Sequence, residues 1–272
     1  MGRKKAPIRI SEYMIPCSCD LKIAVVSDLH EADPRPVLDA LRGTQPDVIA
    51  FCGDLFQIRD GNGDRIALPP KIKTAWLYYP IRVADRFFSL IRPETDRSSR
   101  KNAYDFLSEA GKIAPVLMVC GNHDACLSEE DLRAIRDSGT VLLDNSMIRF
   151  RKILFGGISG KNGVEKADGD FLRRFTSREG FRILLCHYPE YYDKLKGYKI
   201  DLILSGHAHG GQVRLFGRGL LAPGQGLFPR YYCGVYDRKL VVTAGCSNTA
   251  AIPRWGNPCE IVLVRLTAPT KP

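Results

Sequence analysis

Apolar and polar positions alternate in blocks along this chain. Leu21–Ser27 is β-rich and mostly apolar, the pattern of a strand buried on both faces, and the polar cluster Asp28-Leu29-His30 follows at its carboxyl end. The spacing then predicts a short helix over Pro36–Arg42 with Gly43 as its stop, and a strand over Asp47–Cys52 ending in Gly53-Asp54. The same unit recurs as a helix over Ala103–Ala110 closed by Gly111, a strand over Val116–Cys120, and the turn Gly121-Asn122-His123-Asp124. Three βα units thus deliver three polar turns to one edge.

After a helix around Ser128–Asp137 the pattern changes. Val141–Leu143, Ser146–Phe150 and Ile153–Ile158 read as shorter strands in hairpin connection, which suggests a second sheet. Phe181–Cys186 then leads to His187, and Asp201–Leu204 leads to Ser205-Gly206-His207-Ala208-His209. Strands at Leu240–Ala244 and Glu260–Leu266 close the chain. The expectation is an α/β fold of two mixed β-sheets packed as a sandwich flanked by helices, with five polar turns at one rim, where ligand sites of α/β sheets lie.

The 272 residues are expected to form a single domain. Pro69–Lys101 lies in a gap too long for a plain βα connection and reads as a helical insertion over 69–101. Ala84, Phe87, Phe88 and Ile91 stand at helical spacing, and Trp76, Tyr78 and Tyr79 precede Pro80, where the run should break or kink. The segment carries a cationic excess of five, half the net charge of +10 for the whole chain. Two readings stay open. The insertion packs its apolar stripe onto the domain, or it forms a lid or interfacial patch in peripheral contact with an anionic membrane.

Composition narrows the classes. Hydrophobic residues at 44% and charged residues at 26% are ordinary for a globular chain, and no apolar run nears the roughly 20 residues that span a bilayer. Ile8–Tyr13 interrupts what an export signal would need as an apolar run, and the odd count of nine cysteines holds no Cys-x-x-Cys pair. The expected location is cytoplasmic, or peripheral to a membrane if the second reading of 69–101 holds. The positive charge favours anionic partners without choosing among them.

The chain has five histidines, and each stands in a polar turn directly after a predicted strand. One such residue would read best as a hydrogen-bonded core or surface histidine; five placed alike do not. With Asp28, Asp54 and Asn122 the turns offer four imidazoles, two carboxylates and one amide carbonyl, leaving His123 spare. That is enough for two divalent ions. Mixed nitrogen and oxygen donors suit Mn, Fe or Zn better than Ca or Mg, and two ions roughly 3.5–4 Å apart clamp a displacement at phosphorus.

In order and residue type, Asp28-x-His30, Gly53-Asp54, Gly121-Asn122-His123-Asp124, His187 and Gly206-His207-Ala208-His209 resemble the five motifs of the calcineurin-like metallophosphoesterases, over about Leu21–Leu266. The resemblance implies that family's four-layer fold and hydrolysis of a phosphodiester, phosphomonoester or pyrophosphate bond by a metal-bridging hydroxide. It implies one metal on Asp28, His30, Asp54 and His209 and a second on Asp54, Asn122, His187 and His207, with Asp54 as the bridge. His123 is then the histidine that protonates the leaving oxygen or stabilises the transition state. Asp124 either orients a neighbour or caps the next helix. Within the family, Gly206–Gln212, Ala222–Pro229 and Tyr232–Tyr236 resemble a bacterial branch that includes envelope phosphoesterases and UDP-diacylglucosamine pyrophosphohydrolases, which implies a small phosphorylated substrate, nucleotide or lipid-linked. The N-terminus departs from that branch, whose members are often anchored or exported.

Arg214, Arg230, Tyr231 and Arg254 lie near the last motif in sequence and are candidate substrate contacts. Gly156–Gly160 is glycine-rich but lacks the lysine of a phosphate-binding loop. The competing functions are a nuclease acting on DNA or RNA, for which no dedicated nucleic-acid module is present, and a non-catalytic scaffold of the same fold, which the intact turns oppose. Substrate, metal identity and oligomeric state do not follow from these residues.

Overall fold

The computed structural model describes residues 8–57, 99–159, 169–248 and 252–268. Almost all of the proposed insertion lies outside them. In chain order the main elements are β1 (Arg9–Pro16), β2 (Leu21–Val26), α1 (Arg35–Thr44), β3 (Val48–Cys52), α2 (Arg100–Ile113), β4 (Val116–Val119), α3 (Glu129–Asp137), β5 (Val141–Leu142), β6 (Ser146–Phe150), β7 (Ile153–Ile158), α4 (Gly169–Thr176), β8 (Phe181–Cys186), α5 (Tyr192–Leu195), β9 (Leu202–Ser205), four two-residue strands β10 (Arg214–Leu215), β11 (Arg218–Gly219), β12 (Leu221–Ala222) and β13 (Gly226–Leu227), then β14 (Gly234–Tyr236), β15 (Leu240–Val242) and β16 (Glu260–Thr267).

Two six-stranded mixed sheets result, ordered β1-β16-β2-β3-β4-β5 and β14-β15-β9-β8-β7-β6. In the first, β2 to β5 run parallel, and β16 inserts antiparallel to β2 and parallel to β1. In the second, β7, β8, β9 and β15 run parallel between the antiparallel edges β6 and β14.

Period-2 alternation explains the layering. Along β2, Ile23 and Val25 join Ile153, Phe155, Ile183 and Leu204 in the core between the sheets. Ala24 and Val26 point the other way, onto Val37, Leu41 and Phe106 of α1 and α2. On the far side, Leu184 and Ile203 pack against Phe171, Phe175 and Leu195. The expected sandwich flanked by helices is therefore the observed fold, four layers deep. Among the described residues no helix is long and apolar enough to cross a membrane.

Several local expectations are corrected. Helix α1 runs through Gly43 and ends where Gln45 turns left-handed at φ 49°. Helix α2 runs through Gly111 to Ile113, just before Pro115, which disfavours helical backbone in the residue preceding it. Val141–Leu142 pairs parallel with β4 as the edge of the first sheet, so the hairpin that opens the second sheet is β6–β7 alone. Gly156 and Gly157 lie inside β7, where an added Cβ would sit 2.7 Å from the Phe175 ring and 2.4 Å from Leu143 Cβ. Close packing, and no phosphate cradle, accounts for these two glycines.

Candidate metal centre

The sheets align so that the carboxyl ends of β2, β3, β4, β8 and β9 meet at one rim. The hydrogen bonding of β2 and β3 continues past both strands, with Asp28 N–H donating to Gly53 O at 3.0 Å, His30 N–H to Asp54 O at 3.0 Å and Glu31 N–H to Leu55 O at 2.9 Å. The chain thereby turns Asp28, His30 and Asp54 inward at φ 55°, 49° and 59°. His207 and His209 share this left-handed backbone at 64° and 45°. Such conformations cost free energy, although Asp, Asn and His tolerate them better than most residues, and they concentrate at functional sites.

Every motif residue arrives in one cluster. Asp54 Oδ2 lies 3.2 Å from His187 Nε2 and 3.7 Å from His30 Nε2. Asp28 Oδ1 lies 3.9 Å from His30 Nε2 and 3.8 Å from His209 Nε2. Asn122 Oδ1 is 3.3 Å from His187 Nε2, and the His187 and His207 rings are 4.8 Å apart. Asp28, His30 and His209 form one set of donor atoms within 4.8 Å of one another, and Asp54, His187 and His207 form another. His30, Asp54 and His123 form a third, so by distance alone His123 stands as close as the rest.

Orientation is fixed by surrounding hydrogen bonds, as metal-binding side chains require. His187 Nδ1 contacts Cys52 O at 2.6 Å; a carbonyl only accepts, so Nδ1 carries the proton and Nε2 faces the cluster. His30 Nδ1 meets Gln57 Oε1 at 2.9 Å. Asp28 is gripped by Ser27 Oγ and by the His207 N–H at 3.2 Å. Asp124 stitches loops together by accepting N–H bonds from Asp54 at 2.7 Å, Phe56 at 2.9 Å and Gly121 at 2.9 Å. It caps no helix, since Ser128 and Asp131 form the capping box of α3.

Burial and mutual charge set the protonation states. Burial alone would raise Asp54, but the imidazoles of His187, His30 and His123 outweigh it and hold the carboxyl well below the usual range. For Asp28, burial wins, helped by the charge of Asp54, and the carboxyl is raised. Burial would lower His187, yet Asp54 and Asp28 push it up to about 10. Burial and neighbouring imidazoles hold His207 and His209 well below the ordinary value, so both are neutral donors.

The donor set fits divalent cations. Four buried imidazoles and two buried carboxylates converge, and among the described residues no lysine or arginine is buried with them. Glycine clears the space around them. A Cβ on Gly121 would fall 2.1 Å from Asp54 Oδ1, and one on Gly245 2.8 Å from Asp28 Oδ2.

Two residues of the rim were not anticipated. Glu190 Oε1 lies 3.8 Å from His207 Nε2, and the Tyr188 ring stacks edge-on against His187 and His207. Both follow His187 within three positions, but as a carboxylate in the one-turn 3-10 helix Pro189–Tyr191 and a ring just before it they carry no motif.

The four candidate substrate contacts each have partners within the fold. Tyr231 is buried, with its hydroxyl 3.2 Å from Asp193, and it packs against Tyr192 and Tyr236. Arg230 pairs with Asp193 at 3.3 Å and lies over the Tyr231 ring. Arg214 Nε donates to Gly210 O at 2.8 Å, and Arg254 donates to the carbonyls of Ala244, Gly245 and Pro258. These last two buttress the wall behind His209.

Comparison with known proteins agrees with this arrangement. A model of the calcineurin-like phosphoesterase domain matches residues 21–211. The chain is similar to the uncharacterized metallophosphoesterase YkoQ of Bacillus subtilis, 30% identical over 117 residues, which is 40% of this chain and 43% of that protein. It is also similar to the uncharacterized protein YpbG of the same organism, 27% identical over 165 residues, or 57% of this chain and 60% of that protein. The chain therefore spans about half the length of these curated relatives. A solved structure superposes over 70% of this chain and 84% of its own at 15% identity, with a TM-score of 0.44.

Proposed function

Because the chain belongs to the calcineurin-like phosphoesterase family, we propose that it is a hydrolase that cuts a phosphodiester, phosphomonoester or pyrophosphate bond at a pair of divalent ions. The observation that carries this reading is the position of Asp54, whose Oδ2 stands between the donor nitrogens of His187 and His30 at 3.2 and 3.7 Å. Asp28, His30 and His209 would hold one ion, Asn122, His187 and His207 the other, and Asp54 both. Mn, Fe or Zn suits the mixed donors. When bound, such ions polarise a phosphoryl oxygen and lower the pKa of water.

The chain supplies the remaining chemistry. His123 is the half-buried member of the five histidines, the other four being buried. Its backbone N–H donates to Asp54 Oδ1 at 2.9 Å, and its ring meets that of His30 edge-on at 4.6 Å. An imidazole held there can give a proton to the departing oxygen. The hydrogen bonds to Cys52 O and Gln57 keep the His187 and His30 rings aimed inward through the reaction.

Elemental analysis of the purified protein, followed by assay of phosphomonoesters, phosphodiesters and nucleotide pyrophosphates with Mn²⁺, tests the reading. Two equivalents of metal and turnover of at least one class are expected. Stoichiometric metal with no phosphoryl hydrolysis in any class would defeat it.

A further inference from the structure

The stretch after His209 is a small ribbon whose backbone connections are continuous. Arg214 N–H donates to Trp255 O at 2.8 Å, Arg214–Leu215 pairs with Arg218–Gly219, Leu220 N–H donates to Val213 O at 2.9 Å, and Phe228 N–H donates to Leu220 O at 2.9 Å. The root of this ribbon is tied to the metal centre. Asn257 Nδ2 donates to His209 O at 2.7 Å, and a Cβ on Gly224 would lie 3.5 Å from His207 Nε2.

This ribbon exposes large apolar side chains. Phe216 at the tip of β10–β11 is fully exposed, Phe228 and Trp255 are each 73% exposed, and Leu215 is 46% exposed. Single exposed apolar residues are ordinary, but four on one short ladder make a patch of the kind that marks an interaction site. Its charge is one-sided. Val213–Tyr232 and Ile252–Pro258 contain Arg214, Arg218, Arg230 and Arg254 and no aspartate or glutamate. Arg214 and Arg254 donate to backbone carbonyls at its root, Arg230 pairs with Asp193 while its side chain stays 66% exposed, and Arg218 at the tip is exposed.

We propose that this ribbon docks the protein onto an anionic lipid surface, with Phe216, Leu215, Trp255 and Phe228 entering the interfacial layer and Arg218 and Arg230 lying against lipid phosphates. Exposed aromatic side chains on the same ribbon as the exposed Arg218 and Arg230 match that partner. The inference stands apart from the hydrolytic reading, because adsorption needs neither ion nor substrate.

The chain has two tryptophans, so Trp76→Phe leaves Trp255 as the sole reporter. In that background, vesicles rich in phosphatidylglycerol are expected to shift Trp255 emission to the blue, lipids brominated in their acyl chains should quench it, and pure phosphatidylcholine should do neither. Phe216→Ser with Phe228→Ser should lower co-sedimentation by at least about tenfold at unchanged melting temperature, and Arg218→Glu should weaken binding to anionic vesicles. Emission that does not move at the lowest salt, or a double variant that binds like the parent, overturns the proposal. So does self-association that the double variant abolishes while vesicles remain unbound, which would assign the patch to a second copy of the chain.

Discussion

The Asp54 carboxylate and the His187 imidazole are in contact at 3.2 Å inside a site from which solvent is excluded. In the absence of an ion they form a charged pair, because His187 is pushed up to about 10 and Asp54 is held well below the usual range. The proton on His187 occupies the place a cation would take.

That relationship predicts proton release. Coordination requires a neutral imidazole, so ion uptake at pH 7 should expel at least one proton per chain, and affinity should climb as pH rises toward 10. The sign for stability is opposite. A histidine raised above its ordinary 6.5 contributes stability to the ion-free protein that is full below 6.5 and lost as pH rises through about 10. Calorimetric titration in buffers of different ionisation enthalpy reads the protons, and equal apparent enthalpies across buffers would contradict the expectation.

Asp54→Asn removes the charge from the oxygen that faces both donor sets. Both ions should be lost together, with metal content falling from two to well under one per chain by mass spectrometry. Loss of only one ion would show that Asp54 does not bridge.

His123→Ala should retain the metal. On substrates with a poor leaving group it should lower kcat by roughly 10²–10⁴, and with p-nitrophenyl esters, whose oxygen needs little protonation, the loss should shrink. Equal losses on both would recast His123 as a ligand, a role its distance from His30 and Asp54 also permits.

Asp124→Ala tests the stitch between loops. Three buried N–H groups lose their acceptor, at about 1–3 kcal/mol each if left unpaired, so a loss of about 3 kcal/mol or more is expected in thermal unfolding. Metal affinity should fall with it, since Asp54 and Gly121 are both held there. An unchanged melting temperature would mean that water replaces the carboxylate.

The sequence carried the centre of the fold more clearly than its edges. Strands β2, β3 and β4 are apolar on both faces because both faces are covered, and each polar turn marks where such a run ends. Strand β1 passed unnoticed because it is an edge: Arg9, Ile10, Glu12 and Met14 are exposed and Ile15 is its one fully buried side chain. Val141–Leu142 looked like the start of a hairpin because a two-residue edge strand has no periodicity to read. Gly43 and Gly111 looked like helix stops, but nothing at either position demands a left-handed turn. Glu190 and Tyr188 are not legible because a single 3-10 turn, with no periodicity to read, brings them to the rim, whereas the histidines are legible from repetition alone. Arg230 and Tyr231 were judged by nearness in sequence, and Asp193, outside that stretch, engages both of them.

The cluster straddles the seam between the two sheets. Asp28, His30, Asp54 and Asn122 come from the first sheet and His187, His207 and His209 from the second. During folding, then, a chain in which one sheet has formed offers only a partial shell, which holds an ion weakly. The first sheet itself is completed by β16, the last of the described strands in chain order, which slots between β1 and β2. A full set of donors therefore exists only where both sheets have come together.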